Sequence, residues 1–321
     1  LGTHLVGLDI GGTKLSVVLA DVDGNLLVKE KIPTRAERGV EPVVAELVAT
    51  ARAVVAGRGV DWCDVAGIGV SFGGPLDSRR GIVYSPANLP GWDAIPLLEM
   101  LETAFPTVPI VMDNDANAAA LAEWRFGAGR GCDHMLYMTM GTGIGGGVVA
   151  DGRLVRGACD AAGEIGHICL VPDGPPCGCG RRGCLEAFCS GPSIARRAKE
   201  KLRAGMNPGD LLDAVSVDAL RTEDLLDAAR RGNRFALDHF RETAYFLGWG
   251  ISHAVNLLNP EIVVLGTVAT AAGEFFFESL REYVRLFAMT RSAEAVRVVP
   301  AALGDLVGDY AAIALVHQAG R

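Results

Sequence analysis

The chain has 321 residues, half of them hydrophobic, and a net charge of −8 at neutral pH, with a pI near 5.3 and a mean hydropathy of +0.27. That length suits two moderate cores better than one, because single cores stop growing at roughly 250–300 residues. The acidic balance and the lack of long basic runs argue against a nucleic-acid partner. No apolar run approaches the roughly 18 residues of a membrane span, and the sequence enters a strand pattern at once, with no secretory leader. The expected setting is the cytoplasm.

Alternation and β-branched content predict strands at His4–Ile10, Lys14–Val22 and Leu26–Ile32, linked by the turns "GGT" and "DGN". A helical period runs from Glu41 to about Ala56. "DVAGIGVSF" reads as a buried strand and "IPLLEMLETAF" as a helix. "VPIVMDND" is a strand that runs into the helix "ANAAALAEWRFGAG", ended by glycine. The opening pattern then returns: "LVGLDIGGTKLSVVLADVDGNLLV" resembles "LYMTMGTGIGGGVVADGRLV" in its order of strand, Gly/Thr turn, strand, Asp-Gly turn and strand. The period is too long for a solenoid and implies two related domains facing a shared cleft. The remainder predicts helices from about Pro192 to Leu257, a strand "EIVVLG", a helix at Glu274–Phe287, a strand "VRVVPA" and a last helix from about Gly304 to Gln318. The hinge is expected near Asn114–Ala116.

The first glycine turn, "GLDIGGTK", nearly fits a Walker loop, but Thr13 and Lys14 stand in reverse order and a strand follows where a helix is required. The second, "GTGIGG", matches G-x-G-x-x-G through Gly141, Gly143 and Gly146, yet it too continues as a strand. What remains is a pair of hairpin turns. Either alone is equally a plain tight turn. Two in related repeats favour phosphate binding, with backbone N–H groups approaching the oxygens. Thr13, Thr139 and Thr142 would add hydroxyls and Lys14 a charge.

"VMDNDANAAA" sets Asp113, Asn114 and Asp115 at a strand end. One must cap the helix, and three polar residues exceed that need. A carboxylate here can take the proton of an attacking hydroxyl.

Eight cysteines in a reducing compartment are poor candidates for a disulfide framework. Cys63, Cys132, Cys159, Cys169 and Cys189 read as small buried hydrophobes. The segment "GEIGHICLVPDGPPCGCGRRGCLEAF" differs: His167, Cys177, Cys179 and Cys184 form a closed tetrahedral zinc set, favoured over free thiols. With no ligand position open, the metal is expected to be structural. His167 would keep one ring nitrogen for a substrate hydroxyl, and Glu164 and Glu186 flank the knot.

The chain resembles the ROK family, and its glucokinase-like sugar kinases in particular, through "DIGGTK", "NLPGW", "DNDANAAALAEWRFGAG", "TMGTGIGGG" and "GEIGHICLVPDGPPCGCGRRGCLEAFCSG" in family order. The resemblance implies an α/β fold of two actin-like (ribonuclease H-like) domains with mixed sheets around a central cleft. Residues 1–114 plus 305–321 would form the smaller domain and 115–304 the larger, with the zinc loop. It implies ATP-dependent transfer to the 6-hydroxyl of a hexose, with Asp115 as general base. Gly74, Asn114, Glu164, His167 and Glu186 match sugar-binding positions. Asp9, Gly11, Gly12 and Thr13 match the first phosphate loop and Thr139, Gly141, Thr142 and Gly143 the second. Mg²⁺ would arrive with ATP and meet Asp9 through water. Two departures stand out. Gly266-Thr267-Val268 replaces a glycine triplet beside the adenine, and "SFGGPLD" is closer to N-acetylmannosamine kinases, so glucose is favoured over an N-acylhexosamine without excluding it. Family repressors carry an added N-terminal helix-turn-helix domain; with the first phosphate loop beginning at Asp9 and an acidic pI, a repressor is not the expected reading. A non-catalytic sugar sensor is the other alternative. A dimer or tetramer is expected.

Overall fold

The computed structural model of the protein describes residues 2–86, 89–213 and 215–319; Asn88 of the "NLPGW" motif lies outside them. Strands β1 (His4–Ile10), β2 (Lys14–Asp21) and β3 (Leu26–Pro33) are followed by α1 (Val40–Ala56), β4 (Val65–Phe72), the short hairpin β5 (Leu76–Asp77) and β6 (Ile82–Val83), α2 (Leu97–Ala104) and β7 (Ile110–Asn114). Helix α3 (Asp115–Phe126) leads to β8 (Met135–Met140), β9 (Ile144–Ala150) and β10 (Arg153–Val155). Beyond these come α4 (Leu185–Cys189), α5 (Gly191–Arg203), α6 (Thr222–Arg230), α7 (Arg234–Leu258), β11 (Ile262–Thr267), α8 (Val268–Ala272), α9 (Glu274–Phe287), α10 (Thr290–Ala295), β12 (Arg297–Pro300) and α11 (Val307–Ala319).

The repeat seen in the sequence is a repeat in space. One sheet runs β3-β2-β1-β4-β7 and the other β10-β9-β8-β11-β12. In each, the first three strands pair antiparallel and the rest parallel. Alternation sends each strand's side chains to two different cores. Leu15, Val17 and Leu19 of β2 join α1 and α2 on the outer face, while Val18 and Ala20 meet Ile313 of α11. In the second half Leu136 and Met138 of β8 face α5, α7 and α9, and Met135 and Tyr137 meet α3 and α11. Sheets covered on both faces need apolar residues at nearly every strand position, as found in the central strands β1, β2, β4, β8 and β11.

Helices α3 and α11 fill the seam between the sheets. Glycine is what lets α11 lie so close on the first: a Cβ on Gly69 would fall 1.8 Å from the Ala312 carbonyl oxygen. Helix α7 begins with an Asn233 cap, whose side chain accepts the Ala236 N–H. It ends at Asn259, in the left-handed conformation favoured at such ends.

The structure corrects the reading of three cysteines. Cys132 and Cys189 are buried, but Cys63, Cys159 and Cys169 are exposed. Cys159 and Cys169 lie in the loops that follow β10 and Cys63 in a single 3-10 turn before β4, where no packed face covers them. The β5–β6 hairpin was not expected. Among the described residues, no helix is long and apolar enough to cross a membrane.

Candidate active site

Each half bears a glycine turn between its first two long strands. In the first, the Gly11 N–H donates to the Lys14 carbonyl at 3.0 Å. Thr34 braces the turn from behind, with Oγ1 donating to the Gly11 carbonyl at 2.7 Å and its N–H to that of Thr13 at 3.1 Å. Gly12 is half-buried, and Thr13 and Lys14 are exposed. Asp9 lies just before the turn. Burial pushes its carboxyl up to about 6 against a hydrogen bond from Ser71, and the negative charges of Asp115 and Asp309 add to the rise. Asp309, from α11, is buried and paired with Lys29, and it accepts from Ser16 Oγ. Of these neighbours only Asp115 was singled out in the sequence.

In the second turn the Gly141 N–H donates to the Gly143 carbonyl at 2.9 Å. The Gly191 N–H, at the start of α5, donates to the Gly141 carbonyl at 2.9 Å. Strand β11 places Gly266 opposite Thr139 and Thr267 opposite Met140. Thr267 has a φ of +54°, unusual for a β-branched residue, and its Oγ1 accepts the Met140 N–H at 2.7 Å. Beside this turn opens a cavity of about 850 Å³. Gly141, Thr142, Pro192, Lys199, Thr267 and Val268 help line it. Gly11, Gly12 and Thr13 of the first turn are not part of that lining.

The three polar residues at the end of β7 divide their work. Asn114 is the helix cap, its side chain accepting the Asn117 N–H at 2.7 Å. Asp113 is fully buried and accepts from the Asn114 N–H, Asn117 Nδ2 and Arg156 Nε at 2.8, 2.9 and 2.8 Å. Asp115 is committed to neither task. Solvent reaches it, yet protein on its flanks strips hydration from the carboxylate. That desolvation raises its pKa against the Ala116 N–H, and the charge of Glu164 raises it further. A Cβ on Gly73 would lie 3.6 Å from Asp115 Oδ2, and one on Gly74 would strike Pro86 at 2.7 Å.

From Asp115 the site continues through Glu164 to the cysteine loop. Glu164 Oε2 lies 3.7 Å from His167 Nε2. The opposite ring nitrogen, Nδ1, lies 3.7 Å from Cys177 Sγ. Cys179 and Cys184 have their sulfurs 3.7 Å apart, and all four donor atoms lie within 4.8 Å of one another. A disulfide needs sulfurs at about 2.05 Å. A tetrahedral zinc with bonds of about 2.3 Å needs them roughly 3.8 Å apart, so the donor set fits that metal. The loop is shaped for this closeness: a Cβ on Gly183, whose φ is +68°, would fall 1.5 Å from the Val171 carbonyl oxygen. Glu186 flanks the knot, as expected, and has a further partner. Its Oε2 accepts the Ile144 N–H at 2.8 Å, and Cys177 Sγ donates to its Oε1 at 3.4 Å. It ties the knot to the second glycine turn.

Two mixed α/β halves of one strand order, each with its glycine turn, define an actin-like fold of two domains around a cleft. Residues 5–319 match the ROK family, and the chain belongs to that family. It is 35% identical to a glucokinase of Halalkalibacterium halodurans over 98% of this chain and 94% of that one. Among solved structures it resembles a ROK hexokinase from Thermus thermophilus, at 37% identity and a TM-score of 0.84, covering 99% of both chains. It also resembles a ROK glucokinase from Streptomyces griseus in complex with glucose and AMPPNP, at 34% identity and a TM-score of 0.80, covering 98% and 99%. The relatives include regulators, such as a putative xylose repressor of Caldicellulosiruptor sp., 30% identical over 97% of this chain and 77% of its own.

Proposed function

We propose that the protein is an ATP-dependent hexokinase-type phosphotransferase that carries the γ-phosphoryl group to the 6-hydroxyl of a hexose, glucose above others. The observation that carries this reading is the uncommitted Asp115. Its neighbours are taken up by capping and anchoring, while its own carboxyl, raised in pKa, stands beside Glu164. A base with a raised pKa accepts a hydroxyl proton more readily, and such catalysis is worth about 10²–10⁴ in rate.

In this reading Asn114, Glu164 and His167 orient the sugar, His167 through Nε2, with the Gly74 backbone beside it. Glu186 acts indirectly, by fixing the zinc loop against Gly143. The turns at Gly11–Thr13 and Gly141–Gly143 hold the phosphates, and the cavity beside Thr142, Thr267 and Val268 takes the rest of ATP. Phosphoryl transfer asks chiefly for positioning and charge stabilisation. Asp9 fits a Mg²⁺ companion of ATP, since a cation would relieve the crowding of its charge by Asp115 and Asp309; the metal would neutralise charge building on the phosphates. His167, Cys177, Cys179 and Cys184 fit a structural Zn²⁺ that keeps His167 in one orientation. Residues 1–114 with 305–321, and 115–304, act as two bodies that close on substrate and exclude water. The enzyme works in the cytoplasm as a dimer or tetramer.

A coupled assay with ATP over glucose, mannose, N-acetylmannosamine and N-acetylglucosamine tests the proposal. Glucose should give the highest kcat/KM. A clear preference for an N-acetylated sugar would move the acceptor assignment. Tight glucose binding without turnover of any sugar would make the protein a sensor.

A further inference from the structure

The loop between β10 and Glu164 makes a contact that the proposed chemistry leaves unused. Both feet of this loop are pinned. Arg156 holds the buried Asp113 by its Nε at 2.8 Å, and the Ala162 N–H donates to the Arg156 carbonyl at 3.1 Å. At the other end Gly163, with a φ of +93°, lies so near β9 that a Cβ on it would meet the Gly146 carbonyl oxygen at 2.5 Å. Between the feet the chain arches outward. At the arch Asp160 adopts a φ of +58°, a conformation that few residues other than glycine take without cost. From there Asp160 Oδ2 accepts the Ser78 N–H at 2.8 Å.

Ser78 belongs to the other half of the molecule, in the turn between β5 and β6. That turn is held by its own Asp77, whose Oδ1 accepts the N–H groups of Arg79 and Arg80 at 3.1 and 2.9 Å. The hairpin continues directly from Gly73, on which a Cβ would lie 3.6 Å from Asp115 Oδ2, and from Gly74, which packs on Pro86. The hydrogen bond therefore joins two segments, one running into Glu164 and one running out of Gly73, the glycine beside Asp115.

We propose that Asp160 is a positioning residue for the acceptor: its carboxylate, by holding the Ser78 N–H, ties the Glu164 loop to the opposing hairpin and closes the sugar side of the cleft. This rests on the sugar-kinase reading above. Strain at Asp160 is tolerated because the hydrogen bond compensates it. Losing the tie lowers the fraction of closed protein, which weakens apparent sugar affinity by that fraction. Saturating sugar still drives closure, so chemistry after binding is spared.

Asp160→Ala should raise the KM for glucose about 10-fold, the scale of one hydrogen bond to a charged group. The kcat should stay within about 3-fold and the KM for ATP should not move. Asp160→Asn keeps an oxygen acceptor and should return the glucose KM to within about 3-fold of wild type. On the unaltered protein, hydrogen exchange at the Ser78 amide should slow further when glucose is added. A glucose KM within 2-fold of wild type in Asp160→Ala overturns the proposal, as does a Ser78 amide indifferent to glucose. If Ala and Asn variants are equally impaired in KM and kcat, the role is merely structural. A wild type inert toward every hexose sinks the kinase reading and this role together, whereas an active wild type beside a neutral Asp160→Ala sinks this role alone.

Discussion

Replacing Asp9 by asparagine should make the protein more stable and a worse enzyme. Asp9 is held with its carboxyl at about 6, against the usual 3.8, chiefly by burial. A group whose folded pKa is raised binds more protons in the folded state than in the unfolded one between those two values. Its stabilising contribution is complete below about pH 4 and is lost as pH rises through 6. At about 1.36 kcal/mol per pH unit, the ionised carboxylate costs the fold about 3 kcal/mol at pH 7.5. Asparagine keeps an acceptor for Ser71 and carries no charge, so this cost disappears. For a protein of this size the gain corresponds to a melting point higher by roughly 5 °C. At pH 4 the same comparison should yield under about 1 kcal/mol. Thermal melts of both proteins, without nucleotide, at pH 7.5 and pH 4 make the test. Equal melting at pH 7.5, or an advantage of the same size at both pH values, would refute the electrostatic argument. In kinetics the variant should show a KM for Mg-ATP raised at least about 10-fold, since charge complementarity to a cation is gone.

Asp115→Asn should cut kcat by at least about 10² while leaving glucose binding within a few fold; near-normal turnover would remove Asp115 as the base. Because the Asp115 carboxyl is raised, wild-type kcat/KM for glucose at saturating Mg-ATP should fall on acidification at a pH above the ordinary carboxylate range, and the variant should lose that dependence apart from what Asp9 contributes through nucleotide binding. Cys179→Ser should lose bound zinc, measured by elemental analysis, and weaken glucose affinity through a loosened His167; wild-type protein free of zinc ends that prediction. Thr267→Ala deletes the acceptor for the Met140 N–H yet keeps the strained backbone, whereas Thr267→Gly relieves it. Urea unfolding should find the glycine variant more stable than the alanine variant by about 1 kcal/mol, and the reverse order would show that the φ of +54° stores nothing.

Long elements were legible because their signals are periodic. Strand β1 and helix α9 fall on their expected bounds, and the repeat of the opening pattern emerged as two sheets of one order. That His167, Cys177, Cys179 and Cys184 would come together could be read because they crowd a short stretch of chain, within reach of any loop that folds back. The hairpin β5–β6 could not, since two-residue strands show no alternation. Asp160 and Ser78 are far apart in sequence and carry no local signature. Nor did the sequence divide the labour among Asp113, Asn114 and Asp115. That needed Arg156, which reaches the first of them from the other half. The tie from Glu186 was hidden for a similar reason: its partner is a main-chain amide at Ile144, and any residue there but proline would supply one.

The seating of α11 has a consequence for how the chain acquires its shape. Gly7, Gly67 and Gly69 leave a smooth trough across β1 and β4, into which Ala312, Ile313 and Val316 fit. During synthesis that trough stays bare until the entire second sheet has been made. The opening third of the polypeptide thus keeps an uncovered face on the ribosome until α11 has followed the second sheet out, and that one helix then seals both halves.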